Sequence, residues 1–155
     1  MPTLTPAQRA LLNSARRAVL ATSATNGRPR LVPIAFAVAG GDDAPLLYSA
    51  LDEKPKSVAD PRDLARVRDV LARPRVSVLV DRWSEDWSEL AWLRLDAMAT
   101  LLEPTDSGRP TDSDRAEHNL AVGLLRARYP QYAGHNLEGR PILRLQVERV
   151  VGWSA

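Results

Sequence analysis

Apolar residues in this chain alternate with polar or small ones over short runs more often than they recur at helical spacing. Alternation with period two marks a strand with two unlike faces; spacing of three and four marks a helix. Residues 19–23, VLATS, make the first strand-like run. Asn26-Gly27 follows, the strongest short-range hairpin signal. The returning run covers residues 31–39, with Val32, Ile34, Phe36 and Val38 on one bulky face. Leu31, Pro33, Ala35 and Ala37 form the other, mostly small face, which admits either a flat ligand or a closely packed neighbouring element. Further strands are expected at 46–49, 76–80, 90–103 and 142–153. On the long run at 90–103, Leu93, Leu95, Ala97, Ala99 and Leu101 face one way. Trp92, Arg94, Asp96, Met98 and Thr100 face the other. Buried unpaired charge is costly, so this mixed face belongs to solvent, to a subunit interface or to a site.

Three helices are expected between the strands. Thr5, Pro6 and Gln8 carry the start signals of a helix over residues 6–15, with Arg16 and Arg17 in its last turn. Leu64, Val67, Val70 and Leu71 give helical spacing over 62–72, behind Asp60 and Pro61. A third helix is predicted over 115–128, with Asp114 as cap, Glu117 at capping-box spacing, and Leu120, Leu124 and Ala127 as its apolar stripe. Six strands with a hairpin at the front predict a mainly β (α+β) fold, an antiparallel six-stranded barrel with peripheral helices. The length of 155 residues suits one domain over 1–155.

Composition narrows the chemistry. There is no Cys, which excludes disulfides, thiolate catalysis and Cys-ligated metal. A net charge of +2, spread along the chain, argues against a nucleic-acid partner. No segment resembles a membrane span and the N-terminal residues do not read as a signal peptide, so a cytoplasmic location is expected. The sequence has no HExxH, GxSxG or GxGxxG pattern. His118 and His135 lack partners at metal-ligand spacing, so no metal is expected, and His118 reads as a surface or half-buried helix residue. No catalytic side chain is identified, and an enzyme of this composition would draw its reactivity from a bound cofactor.

The most unusual stretch is residues 46–57, LLYSALDEKPKS. Of the 21 basic residues only Lys54 and Lys56 are lysines, and they flank Pro55. An ammonium is a compact point charge suited to a phosphate oxygen, and Pro55 stiffens the pair. Taken alone, the stretch reads more readily as a solvated loop, since short charge motifs are weak signals.

Five segments in order resemble the split-barrel flavin and deazaflavin oxidoreductases of the pyridoxamine-phosphate-oxidase-like superfamily. They are LATSATNGRPRLVPIAFAV (20–38), LLYSALDEKPKS (46–57), RDVLARPRVSVLVD (68–81), DWSELAWLRLDAMATLLE (86–103) and VERVVGWSA (147–155). Within that superfamily the chain resembles the actinobacterial class assigned to coenzyme F420. The resemblance implies a split barrel that is a homodimer with a cofactor site at each end of the interface, and a small-molecule substrate. It implies F420 as cofactor, with FMN as the alternative, and hydride transfer to an organic acceptor; a binder without turnover is a further alternative. By the same resemblance Ser49, Lys54 and Lys56 hold phosphate, and Pro33, Ile34 and Ala35 line the ring system. Trp92 and Arg94 lie on the dimer-facing strand near the cofactor, with Trp87 and Trp153 as weaker candidates. The family often has Gly shortly after the Trp-x-Arg region, where this chain has Asp96-Ala97.

Overall fold

A computed structural model describes residues 2–52, 59–104 and 111–155. Among the described residues, seven strands, one more than expected, form a single sheet: β1 (Ala18–Ser23), β2 (Pro29–Ile34), β3 (Ala37–Ala39), β4 (Leu46–Ala50), β5 (Arg75–Arg82), β6 (Ala91–Leu102) and β7 (Ile142–Ser154). The order across the sheet is β2-β1-β5-β6-β7-β4-β3, and every pairing is antiparallel.

The additional strand arises because the run predicted at 31–39 breaks into β2 and β3. These two lie at opposite edges of the sheet yet are joined only by Ala35 and Phe36. Seven flat strands would separate the edges by about 29 Å at the usual spacing of ~4.8 Å, whereas three Cα–Cα steps cover at most about 11 Å. The sheet therefore has to curl until its edges meet, which produces the half-barrel. The link keeps its backbone groups satisfied through side chains. Ser49 Oγ donates to the Ala35 carbonyl at 2.8 Å, and the Phe36 amide donates to Tyr129 Oη at 3.0 Å.

Inside the curl, Leu20, Phe36, Leu47, Val78, Leu93 and Leu145 are fully buried members of the main core. A second cluster lies between the β3–β4 edge and α3 (Asp112–Arg128), with Tyr48, Val122, Leu125 and Tyr132 at its centre. On β6 the buried and half-buried faces alternate as the sequence pattern predicts. The hairpin between β1 and β2 forms at Asn26-Gly27, with Gly27 at φ 82.

The helices differ from expectation in detail. α1 (Pro6–Ser14) carries the expected capping box of Thr5 and Gln8 but ends before Arg16 and Arg17. The predicted helix at 62–72 is interrupted by extended Leu64, leaving a 3-10 turn at Pro61–Asp63 and α2 at Ala65–Ala72. Asp60 caps the turn as expected, through the Arg62 amide. α3 begins one turn earlier than predicted. Thr111 is its N-cap and Asp114 answers it from N3, so the capping box is displaced by three residues from the expected one. Its buried face is His118, Ala121, Val122 and Leu125, while Leu120 is 54% exposed. The two stripes compete because Leu120 and Leu124 have helical spacing too; the winning one includes a histidine that the apolar pattern discounts. His118 is fully buried rather than half-exposed, and its Nε2 lies 2.8 Å from the Arg140 carbonyl.

Asp69 pins α2 to the first hairpin. Its carboxylate accepts from Thr22 Oγ1 at 2.7 Å and from Arg30 Nε at 2.8 Å. Burial opposes ionisation, but the Thr22 and Arg30 bonds outweigh it and hold the carboxyl below its ordinary range. A depressed pKa stabilises the fold above the unfolded value, and that contribution fades as pH falls through the folded one. Asp69→Asn is expected to cost about 1–3 kcal/mol at neutral pH. In urea titrations the gap to wild type should close as pH drops below the ordinary carboxylate range; a gap independent of pH would contradict the assignment.

Candidate functional site

The closing link between β2 and β3 is also the floor of a cleft. Pro33, Ile34 and Ala35 form one side of a cavity of about 480 Å³, within the ~300–1,000 Å³ typical of small-molecule sites. Arg16 and Arg17 border it from the α1–β1 junction. Tyr129, Gln131, Tyr132 and His135 close the far side, from the end of α3 and the 3-10 helix Pro130–Gly134. Ala35 and Pro33 leave space above the backbone, as their small side chains predict. Ile34 turns its side chain into the main core instead.

The cleft walls are tied to the strand that leads into the lysine stretch. Ser49, at 2% exposure, holds the Ala35 carbonyl from behind the floor. Tyr132 Oη donates to Asp52 Oδ2 at 2.8 Å. Arg140 donates to the carbonyls of Leu51 and Asp52 at 2.5 and 3.0 Å. Tyr129 Oη, besides accepting from Phe36, donates to the Arg16 carbonyl at 3.1 Å. Burial and the Asp52 bond together push the Tyr132 phenol up, so it stays protonated at any ordinary pH. Burial likewise pulls Arg66 down, with Asp52 opposing that effect. Lys54 and Lys56, which follow Asp52 by two and four residues in the sequence, lie outside the described residues.

Trp92 and Arg94 do not enter this cleft. They border a second depression of about 470 Å³ with Leu79, Trp83 and Trp153. Both depressions nevertheless open on one sheet face. Pro33 lies opposite Val19, Val19 opposite Leu79, and Leu79 opposite Arg94. Directly paired residues share a face, so Pro33 and Arg94 stand in one row, about 14 Å apart along the sheet. Arg94 pairs with Asp96 at 3.4 Å, a half-exposed ion pair of small energetic weight. Trp153, a weaker candidate by the resemblance, is half-exposed and sits directly across from Trp92. Trp87 is 70% exposed. At Asp96-Ala97, where the family often has Gly, the pairing of β6 with β7 slips by one residue.

The residues that sequence reasoning missed are Arg16, Arg17, Tyr129, Tyr132 and His135. All but the arginines come from the segment after α3, where an aromatic run beside Pro130 was the available signal. Among the described residues, no cluster of His, Asp and Glu could hold a metal ion, and no helix is long and apolar enough to cross a membrane.

A family profile described as pyridoxamine 5'-phosphate oxidase matches residues 4–154. No curated protein matches the chain. Among solved structures, a conserved hypothetical protein from Mycobacterium tuberculosis superposes with a TM-score of 0.67 at 20% identity, over 98% of this chain and 86% of that one. An FAD-binding protein from Mesorhizobium loti gives 0.61 at 20% identity, covering 96% and 92%. The heme storage protein HutZ from Vibrio cholerae gives 0.60 at 15% identity, covering 98% and 94%. Identities this low establish a shared fold.

Tyr129→Phe removes the acceptor of the buried Phe36 amide and the donor to Arg16. It is expected to cost about 1–3 kcal/mol, with a lowered denaturant midpoint and an unchanged m-value.

Proposed function

The chain belongs to the pyridoxamine 5'-phosphate oxidase family, and on that premise we propose that it binds a flavin-type cofactor and works as an oxidoreductase on a small organic molecule. The observation that carries this reading is the cleft floored by Pro33, Ile34 and Ala35, small enough at its base for a flat ring to lie against the backbone. The fit extends to charge, since Arg16 and Arg17 border the cleft and the Lys54–Lys56 pair follows Asp52, which is bonded to the cleft wall. F420 is the preferred occupant, on the resemblance of the five segments, and FMN is the alternative.

When bound, such a cofactor supplies or accepts a hydride. The protein's own part is to hold and orient it. Lys54 and Lys56 act as point charges on phosphate, Ser49 fixes the Ala35 carbonyl against which the ring lies, and the tyrosine wall excludes water. A second copy of the chain completes the site. The exposed side chains of Leu31, Leu79 and Trp153 on the outer sheet face offer an apolar surface for it, and Trp92 and Arg94 of one copy then reach the cleft of the other. A binding protein without turnover remains distinguishable, because it would take up the cofactor yet leave its reduced form unoxidised across a panel of acceptors. Heme is the competing occupant, favoured by the imidazole of His135 on the cleft wall and by the heme storage protein that shares the fold.

Titrating the purified protein with F420, FMN and hemin separates these readings. Saturable binding of F420 or FMN is expected, and Lys54→Ala with Lys56→Ala should weaken it at least tenfold, at about 1.5–3 kcal/mol per charge-assisted contact. Saturation by hemin alone, with a Soret shift, would select the heme reading. Binding of none of the three would sink the cofactor function.

A further inference from the structure

We infer that Arg66 holds the phosphate of the cofactor, as a buried cation additional to Lys54 and Lys56, and makes the site select phosphorylated over phosphate-free flavins. The inference rests on the cofactor reading above and adds to it a residue that neither the sequence patterns nor the lining of the cleft reveals.

Arg66 is the second residue of α2. Its side chain is half-buried, and its Nε is fully enclosed without a hydrogen-bond partner. Among the described residues, no hydrogen bond or ion pair reaches its guanidinium. Buried charge is costly unless it is paired, and an arginine does not escape that cost by giving up its proton.

The arginines around it are satisfied from within the chain. Arg62 donates to Glu103 Oε2 at 2.5 Å and to Asp60 Oδ1 at 3.2 Å. Arg140 donates to the carbonyls of Leu51 and Asp52. Arg16 donates to the Arg128 carbonyl at 2.7 Å and lies 4.6 Å over the Tyr129 ring. Arg128 also buries an Nε without a partner, but its Nη2 donates to the carbonyls of Leu12 and Ala15. Arg66 has no such second anchor.

Its place suits an anion bound at the cleft. The carboxylate that acts on Arg66 is Asp52, which attracts it without forming an ion pair. Asp52 accepts from Tyr132 Oη at 2.8 Å, and Tyr132 lines the cleft. Asp52 is also the last described residue before the lysine stretch. The guanidinium therefore belongs to the Asp52 side of the tyrosine wall, where the sequence runs on to Lys54 and Lys56. The start of α2 adds to this polarity, because Leu64 makes no side-chain cap bond to the amides of the first turn. Phosphate oxygens match the planar fork of a guanidinium.

The experiment titrates wild type, Arg66→Gln and Arg66→Lys with two pairs of ligands: FMN against riboflavin, and F420 against its deazaflavin core without phosphate. Wild type should bind the phosphorylated member of a pair at least tenfold more tightly. Arg66→Gln should lower that preference about tenfold while binding the phosphate-free member as before, and Arg66→Lys should restore part of it. The denaturant midpoint of the ligand-free protein should hold or rise in Arg66→Gln, because an unpartnered buried charge is removed. An unchanged preference in Arg66→Gln would overturn the inference while leaving the cofactor reading intact. A lowered midpoint with equal loss of both members of a pair would also overturn it, by making Arg66 a structural counter-charge to Asp52. The same holds if inorganic phosphate raises the wild-type midpoint but not that of Arg66→Gln, and neither pair shows a preference; the anion would then be free phosphate or part of the acceptor. Failure of the wild type to bind any of the four ligands would remove the cofactor reading itself, and this inference with it.

Discussion

Two residues, Ala35 and Phe36, join the opposite edges of a seven-stranded sheet, and the rest of the molecule follows from that constraint. A link this short leaves the sheet no flat solution. Curling brings β2 and β3 together and forms an interior that the alternating faces of β1, β4, β5, β6 and β7 fill with aliphatic side chains. The same link cannot pair in a ladder on both sides. Its polar groups are met instead by Ser49 and by Tyr129, which lies far along the chain. Closure of the barrel and construction of the cleft are thus one event, achieved by the same four residues.

This accounts for the composition of the cleft. The floor must be small and backbone-rich because it is a strand-to-strand junction, and Pro33 lacks the amide that would otherwise need a partner there. The wall must be aromatic because Tyr129 and Tyr132 fill the second core while extending their hydroxyls to Phe36 and Asp52. Structure and site draw on the same side chains, with His135 and Arg17 set at the margin of that network.

Much of the architecture was legible from period-two alternation. Strand positions, the Asn26-Gly27 turn and the two faces of β6 follow directly from it. The break at Ala35-Phe36 was not legible, because alternation continues unbroken through it and the interruption is imposed by closure at long range. The buried face of α3 was hidden for a related reason: His118 counts as polar in a pattern, yet the Arg140 carbonyl makes it a core residue. Of the candidate site, the small face of Pro33 and Ala35 is a local signal in the alternation, whereas the roles of Ile34 and Ser49 come from the family resemblance alone. Tyr129, Tyr132 and His135 were not found, since they reach the floor only through the packing of α3 against the sheet edge. Trp92 and Arg94 were recognised as an unusual face, but the single chain places them three strands from Pro33.

The pairing of β4 with β7 bears on how the chain acquires its cleft. Leu46 meets Gln146 and Ala50 meets Ile142, so the strand carrying Ser49 gains its second neighbour only from the last strand in the sequence. Contacts of such separation form late, after loop entropy has been overcome. Ser49 can meet the Ala35 carbonyl beside the local β3–β4 hairpin, but β4 is held on its other side only once β7 pairs with it, so the floor gains its full support late in folding.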